Sequence, residues 1–478
     1  MKHYVLLIFA ALLVSKTSNA QNTNKAKPNI LLICVDDLRN NLGAYGDTQA
    51  ITPNIDALAK QGVIFRNHQV QYAVCGPSRA ALTTGLMPEE TGVIGFKPIR
   101  RKLPDVTFLP EYFKNNGYIT AAAGKIHDPR TVGNQKNKSK DGDDVASWSI
   151  PYLAPKGGHK AKNMALDFQD LPEEKYVDGI IRVKGIKLLE KVAKEDKPFF
   201  MAIGFKKPHE PFIAPKKYWD LYDRDKIDLA PFQQLADGTP KLAYHSFGEI
   251  RAFSDIDSKL KIGDKIPEAK QRELIHGYMA CISYIDAQIG KLLDDLERRS
   301  ILDNTLIVLW GDHGFHLGDH TEWCKHSNFE QATRIPFMFA GPGVAKNQKS
   351  SHPVNLVDLF PTIFDLAGVQ QHPQTDGKSL VNLLDANPST NIEMDYAYHQ
   401  YKRGSRMGYS IRTDRYRYTE WHGDNYRSYK NYKGENIVGR ELYDYKNDPL
   451  ETKNFVKDAS YKTVVNDLKS KLKAHLTK

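Results

Sequence analysis

The chain has 478 residues, with 67 Lys and Arg against 57 Asp and Glu and a formal net charge of +10. A hydrophobic content of 41% excludes a disordered chain, and this length exceeds one small core, so a large domain with a smaller companion is expected. Four cysteines, Cys34, Cys75, Cys281 and Cys324, are too few for a disulfide scaffold.

Residues 1–20 stand apart. Lys2 and His3 precede an apolar run ending at Val14, and Ser18-Asn19-Ala20 supplies small residues at the cleavage spacing. This reads as a secretory signal peptide, with Gln21 as the first mature residue. The run is too short to span a bilayer, and no later segment is apolar enough to anchor the chain in a membrane. An exported protein, periplasmic or secreted, is expected. Its basic balance suits polyanionic partners such as acidic polysaccharides, and no nucleic-acid-binding motif accompanies it.

Residues 29–35 form a continuous apolar run, the pattern of a strand buried on both faces. It runs into Asp36-Asp37. Thr52 and Pro53 then open a helix, with Pro53 in its first turn. A second strand, 118–123, runs into Gly124-Lys125-Ile126-His127. Residues 131–170, rich in Lys, Asp and Gly, read as an insertion loop over the site. A third strand, 199–205, runs into Lys206-Lys207-Pro208-His209. A long helix over 273–298 carries Leu274, Tyr278, Ile282, Ile285, Ile289, Leu292 and Leu296 at helical spacing. A fourth strand, 305–310, runs into Gly311-Asp312-His313. Residues 354–368 read as another helix, 371–389 as a boundary, and 460–478 as an amphipathic helix. Cys34 in a strand and Cys281 in a helix read as core thiols.

Strands alternate with helices, so the class is α/β with a largely parallel sheet. Each chemically rich cluster follows the carboxyl end of a strand, the edge where open α/β sheets bind ligands. Four clusters far apart in sequence are therefore expected to converge on one site.

The most informative stretch is Cys75-Gly-Pro-Ser-Arg79, followed by Leu82, Thr84 and Gly85. Pro77 fits the first turn of a helix, which puts Cys75 at the helix's positive end. On its own this allows a reactive thiol or a packed cysteine. Asp36-Asp37 sets two like charges side by side, which a cation or a helix cap would explain.

Residues 75–85 resemble the activation motif of the type I sulfatases, C-x-P-S-R-x-x-L-x-T-G, at every fixed position. The resemblance implies an alkaline-phosphatase/sulfatase-like fold: a large, mostly parallel sheet flanked by helices over 21–375, and a smaller α+β subdomain over 376–478. It implies that a formylglycine-generating enzyme or an anaerobic maturase oxidises Cys75 to Cα-formylglycine, whose hydrate is the nucleophile. Asp36, Asp37, Asp312, His313 and the modified Cys75 would bind one divalent metal. That metal is calcium in most members; magnesium or manganese stays open, because His313 replaces the asparagine of many members and nitrogen is unusual for calcium. Arg79 would hold the hydrate and the sulfate. Lys125 and His127 match a G-K-x-H motif, and Lys207-Pro208-His209 a K-P-H motif. Lys325 stands where the family binds sulfate. His209, with Lys325, would be the general acid, and His127 the base that lets sulfate leave.

The likeness covers residues 29 to about 455 and is closest to the iduronate-2-sulfatase branch. It is carried by Asp36-Asp37-Leu38-Arg39, by residues 205–209 with Pro211-Phe212, and by residues 311–328. One residue separates Lys125 from His127, where that branch has two, so the sugar stays open. Candidate subsite residues are Lys97, Arg100, Arg101, Trp148, Lys207, His316, Trp323 and Arg412. The expected reaction is hydrolysis of sulfate esters on an acidic or sulfated oligosaccharide, such as one from a glycosaminoglycan or ulvan. The rivals are a phosphatase or phosphonate hydrolase of the same superfold, and a non-catalytic binder of sulfated glycans.

Overall fold

The structure is a computed structural model that describes residues 27–133, 139, 142–388, 394–423, 432 and 434–477. The expected signal peptide, 1–20, lies outside the described residues. The main elements, in chain order, are β1 (Asn29–Val35), α1 (Pro53–Lys60), β2 (Gly62–Gln69), α2 (Cys75–Thr84), α3 (Leu109–Asn115), β3 (Ile119–Gly124), α4 (Val177–Val192) and β4 (Phe199–Phe205). They continue as α5 (Glu268–Arg298), β5 (Thr305–Gly311), β6 (Phe337–Ala340), β7 (Gln348–Asn355) and α6 (Leu359–Ala367). The carboxy-terminal part holds β8 (Ala397–Arg403), β9 (Arg406–Arg412), β10 (Tyr416–His422), β11 (Ile437–Asp444) and α7 (Lys462–Leu476).

Seven strands form the central sheet in the order β7-β2-β6-β5-β1-β4-β3. Only β6 runs against the others. The apolar run Asn-Ile-Leu-Leu-Ile-Cys-Val explains the central place of β1. Leu31, Ile33 and Val35 face a core with α4 and α5, while Ile30, Leu32 and Cys34 face a second core with α3 and α6. All seven of the periodic apolar residues expected on the long helix are buried on α5. The cysteines of β1 and α5, Cys34 and Cys281, are buried free thiols.

The sheet's register decides where the chemistry goes. Val35 stands opposite both Phe205 and Gly311, and Gly124 stands opposite Gly204. Four neighbouring parallel strands therefore end at one level, and Asp36, Lys125, Lys206 and Asp312 leave them at one edge. Gly124, at φ +89°, and Gly204 permit this closeness. A Cβ on Gly124 would lie 2.0 Å from the Gly204 carbonyl oxygen.

Two readings of the sequence differ from the structure. The long helix begins at Glu268, five residues before the expected start, directly after Pro267. Residues 354 and 355 belong to β7, and α6 begins only at Leu359. A helix from 354 would have carried Pro361 in its interior, where the ring clashes with the preceding turn; the observed start puts Pro361 in the first turn.

The carboxy-terminal strands form an antiparallel sheet, β8-β9-β10-β11, backed by Leu468, Leu472 and Leu476 of α7. This sheet has no separate core: Tyr398, Met407, Ile411 and Leu442 pack in the same cluster as the β1 and α6 side chains. A buried ion cluster also joins the two parts. Glu330 lies 3.2 Å from Arg412 on β9 and 2.6 Å from Arg417 on β10. Glu330→Ala leaves the buried Arg412 without its carboxylate and Arg417 with only Glu451, 3.5 Å away. A loss of about 3–5 kcal/mol of stability is expected, measured by urea unfolding.

Candidate active site

The turn after β2 delivers Cys75 as the first residue of α2, and every residue of that helix is buried. Cys75 Sγ lies 3.1 Å from His313 Nε2 and 3.9 Å from Asp37 Oδ1. Burial, with Asp36 nearby, pushes the thiol well above its ordinary pKa. These surroundings favour the protonated form of an unmodified Cys75 and weigh against the plain reactive-thiol reading.

Arg79 is one turn further on and has no exposed side-chain surface. Its Nε donates to Asp312 Oδ2 at 2.8 Å and its Nη2 to Asp36 Oδ1 at 3.1 Å. Its Nη1 donates to the carbonyls of Lys125 and Ile126. Arg79 thus ties together the ends of β1, β3 and β5. The guanidinium therefore braces the site from beneath.

Asp37 adopts the left-handed conformation, φ 59°, without being glycine. Such strain persists where neighbours fix it. Here the Asp37 N–H donates to Asp312 Oδ1 at 3.0 Å, and the Tyr278 hydroxyl of α5 donates to the Asp37 carbonyl at 2.7 Å. The result is a ring of potential ligands. One ligand atom each from Asp36, Asp37, Cys75 and His313 lies within 4.8 Å of the others, all from buried residues. Asp312 stands beside the ring. Its Oδ1, 3.7 Å from His313 Nε2, already accepts from the Asp37 and His313 N–H groups. Two carboxylates, an imidazole and an oxidisable thiol at this spacing fit a single divalent cation.

Three cations and two histidines surround this ring. Lys125 Nζ reaches Asp36 Oδ2 at 2.5 Å, and Lys325 Nζ reaches Asp37 Oδ2 at 2.8 Å. Burial opposes the ionised form of Asp36, but Lys125 and Arg79 outweigh it and hold the carboxyl well below its ordinary range. His127 sits between the Phe108 and Trp148 rings, and its Nε2 has no hydrogen-bond partner among the described residues. This dry box lowers its pKa to about 4. His127 is therefore neutral at pH 7 and able to accept a proton. His209 Nδ1 donates to the Glu210 carbonyl at 2.7 Å, which leaves Nε2 to face the site. Burial lowers its pKa to about 4 as well.

These buried imidazoles carry a consequence for acid stability. Burial places His127 at about 4 and His399 at about 3 in the folded protein, against 6.5 for the free group. The unfolded chain binds these protons first, so their stabilising contribution is complete above pH 6.5 and is lost as pH falls toward 4. The thermal midpoint should drop steadily between pH 7 and pH 4.5, as read by scanning calorimetry.

Above the ring lies a cleft of about 880 Å³, lined by Asp36, Lys125, His127 and His209 at its floor. Its walls carry Arg130, Lys156, Lys160, Lys206 and Lys207. Residues 152–161 of the expected insertion loop form one wall. A larger cavity, about 1140 Å³, lies between β7 and α7, away from these groups, and borders a stretch outside the described residues.

Of the eight residues expected in subsites, only Lys207 lines this cleft. Its Nζ donates to the His209 and Pro211 carbonyls and so shapes the loop that carries His209. Lys97 and Arg101 are exposed outside it. Arg100 is paired with Glu111 and Asp144, and Arg412 with Glu330. His316 is fully buried and bonded to Ser327 Oγ, Trp323 is buried, and Trp148 backs His127. Burial or prior pairing, which residue type alone does not disclose, marks Arg100, Trp148, His316, Trp323 and Arg412, while Lys97 and Arg101 lie on the surface outside the cleft. Besides Lys125 and Lys207, four cations of the cleft were not singled out: Arg130, Lys156, Lys160 and Lys206. Arg130 could have been found three residues after His127 and Lys206 beside Lys207; nothing marked Lys156 or Lys160 within their loop.

A profile of the Sulfatase family matches residues 28–369, nearly three-quarters of the chain. The chain belongs to the sulfatase family. A second profile, the carboxy-terminal part of N-sulphoglucosamine sulphohydrolase, matches residues 318–478 of this sulfatase. Iduronate 2-sulfatase from Homo sapiens is 34% identical to it, covering 95% of this chain and 96% of the human protein. A sulfatase from Formosa agariphila is 31% identical, over 98% of this chain and 91% of that protein. A solved structure, bound to its substrate D-glucosamine-2-N,6-O-disulfate, superposes with a TM-score of 0.75 at 25% identity. It covers 94% of this sulfatase and 97% of its own chain. The alkaline-phosphatase/sulfatase-like fold expected from the sequence is thus the observed one. No helix among the described residues is long and apolar enough to cross a membrane.

Proposed function

We propose that this sulfatase hydrolyses sulfate esters on an acidic or sulfated oligosaccharide, of glycosaminoglycan or ulvan type, through a Cα-formylglycine made from Cys75. The observation that carries the reading is the placement of the Cys75-to-Arg79 motif. It stands at a buried helix start, 3.1 Å from His313, and shares the ligand ring with Asp36, which lines a cleft walled by lysines and Arg130. The human relative's name supports an iduronate-type sugar, and the cationic walls support a polyanion.

Asp36, Asp37, His313 and the oxidised Cys75 would hold one divalent cation, with Asp312 beside them. Calcium is the proposed ion, and magnesium or manganese would meet the same donors. When bound, the cation polarises the sulfate oxygens, and the aldehyde hydrate supplies the attacking oxygen. The chain's own residues do the rest. Lys125 and Lys325 place positive charge around the sulfate. Lys325, held as an ammonium by Asp37 and Glu249, stands ready to protonate the leaving sugar oxygen, and His209 would share that role once its Nε2 has taken up a proton. His127, neutral and without a partner, takes up a proton. Arg79 fixes Asp36 and Asp312 by its hydrogen bonds and, with Lys125, keeps Asp36 ionised. The pattern of residues 1–20 supports export to a bacterial periplasm or beyond, and a maturation enzyme is the implied partner.

Mass spectrometry of the Cys75 peptide, after expression with a maturation enzyme, tests the reading. The aldehyde or its hydrate is expected, with sulfate released from heparan, dermatan, chondroitin or ulvan oligosaccharides. An unmodified thiol in fully active protein would overturn it.

A further inference from the structure

One acidic residue outside the expected site reaches into it. Glu249 lies in the irregular stretch between β4 and α5, at the edge of a short turn, Ile250–Ala252. Its Oε1 is 3.0 Å from Lys325 Nζ and faces His209 Nε2 at 3.8 Å. Its Oε2 is 2.7 Å from His326 Nε2. With Nε2 donating to that carboxylate, His326 Nδ1 accepts from the Tyr401 hydroxyl of β8 at 2.9 Å. Arg403, also on β8, donates to the His326 carbonyl at 2.7 Å. The Glu249 carboxylate is therefore fixed from the carboxy-terminal sheet; it pairs with Lys325 and lies 3.8 Å from His209 Nε2, close enough to hold that ring once it is protonated.

The second anchor of Lys325 is Asp37. Asp37 is also a candidate ligand of the cation, and a carboxylate shared with a cation holds an ammonium less firmly. Glu249 lies outside the ring of ligand atoms around Cys75 and keeps its charge for Lys325.

We propose that Glu249 is a positioning residue for protonation of the leaving group: it holds Lys325 and His209 at the oxygen that departs. This rests on the roles given to those two residues above. As the bond between sulfur and the bridging oxygen breaks, its electron pair passes to that oxygen, which takes one proton from the Lys325 ammonium, directly or by way of His209 Nε2. Glu249 gains and loses no atom.

The test uses matured protein carrying Glu249→Ala, Glu249→Gln or Glu249→Asp, each checked for an unchanged thermal midpoint. Two substrates are compared. Nitrophenyl sulfate leaves as a stable anion and needs no acid, whereas a 2-O-sulfated uronate disaccharide leaves through an alcohol oxygen that must be protonated. The Ala and Gln variants should lose ~10²-fold or more in kcat on the sugar, with little change in KM, and less than about tenfold on nitrophenyl sulfate. The Asp variant should recover part of the loss. Equal losses on both substrates, or no loss on either, overturn the proposal, because a structural role makes no distinction between leaving groups. Wild-type protein active on nitrophenyl sulfate but on no sugar would remove the carbohydrate reading alone. A simple alkyl sulfate, whose leaving oxygen also needs a proton, then replaces the sugar in the same comparison.

Discussion

Cys75→Ala should abolish turnover while the protein stays folded. The side chain lost is small, and its place between His313 and Asp37 is polar, so the cost in stability is expected to be about 1 kcal/mol or less. Activity should fall by ~10⁴-fold or more, the scale seen when a covalent nucleophile is removed. Sulfate release and urea unfolding, measured on one preparation, separate the two effects. Activity within about tenfold of wild type would mean that the attacking oxygen comes from elsewhere.

Arg79→Ala should instead damage fold and function together. Arg79 and its partners Asp36 and Asp312 are fully buried. Burial raises the Asp312 carboxyl, while it is the lysine and arginine beside Asp36 that keep that group ionised. Removing the guanidinium leaves two carboxylates in a dry site with Lys125 as the nearest remaining cation. A destabilisation of about 3–5 kcal/mol is expected. Arg79→Lys should retain part of that stability and little activity, because an ammonium cannot span both carboxylates and two carbonyls at once. Chemical unfolding and sulfate release of the two variants measure this. A stable Arg79→Ala protein would show that the strut is dispensable.

The strands that carry the chemistry were legible because they are buried, β1, β4 and β5 inside the sheet and β3 at its covered edge. Such strands are buried on both faces and read as unbroken apolar runs, as in β1 and β4. β2 was not legible. Its sequence, Gly-Val-Ile-Phe-Arg-Asn-His-Gln, turns polar halfway, yet Asn67, His68 and Gln69 are buried. Gln69 bonds Asn67 and receives Arg417 from β10, partners that only the folded chain supplies. β6 is four residues long and gives no periodicity to detect.

The site divided along the same line. Residues at strand ends and in the Cys75 motif could be found because position and neighbours marked them. The subsite residues were chosen by charge and aromaticity, which do not reveal whether a group is already paired. Arg100 and Arg412 have carboxylate partners, and Trp323 is in the core. Glu249 escaped notice for the opposite reason: it is one acid in a long stretch without a repeating pattern, and its importance comes from His326 and Lys325, more than 70 residues away.

The register that brings four strand ends together also sets a timetable. Cys75 is sealed in place by His313, 238 residues later in the chain, and β1 waits for β4 and β5 before it has either neighbour. Until Gly311 docks against Val35, nothing covers the thiol from that side. The maturation enzyme proposed above would therefore have an interval set by synthesis and late long-range pairing in which to reach Cys75. Substitutions that speed closure of the β1–β5 pair should shorten that interval and leave more chains permanently holding a thiol.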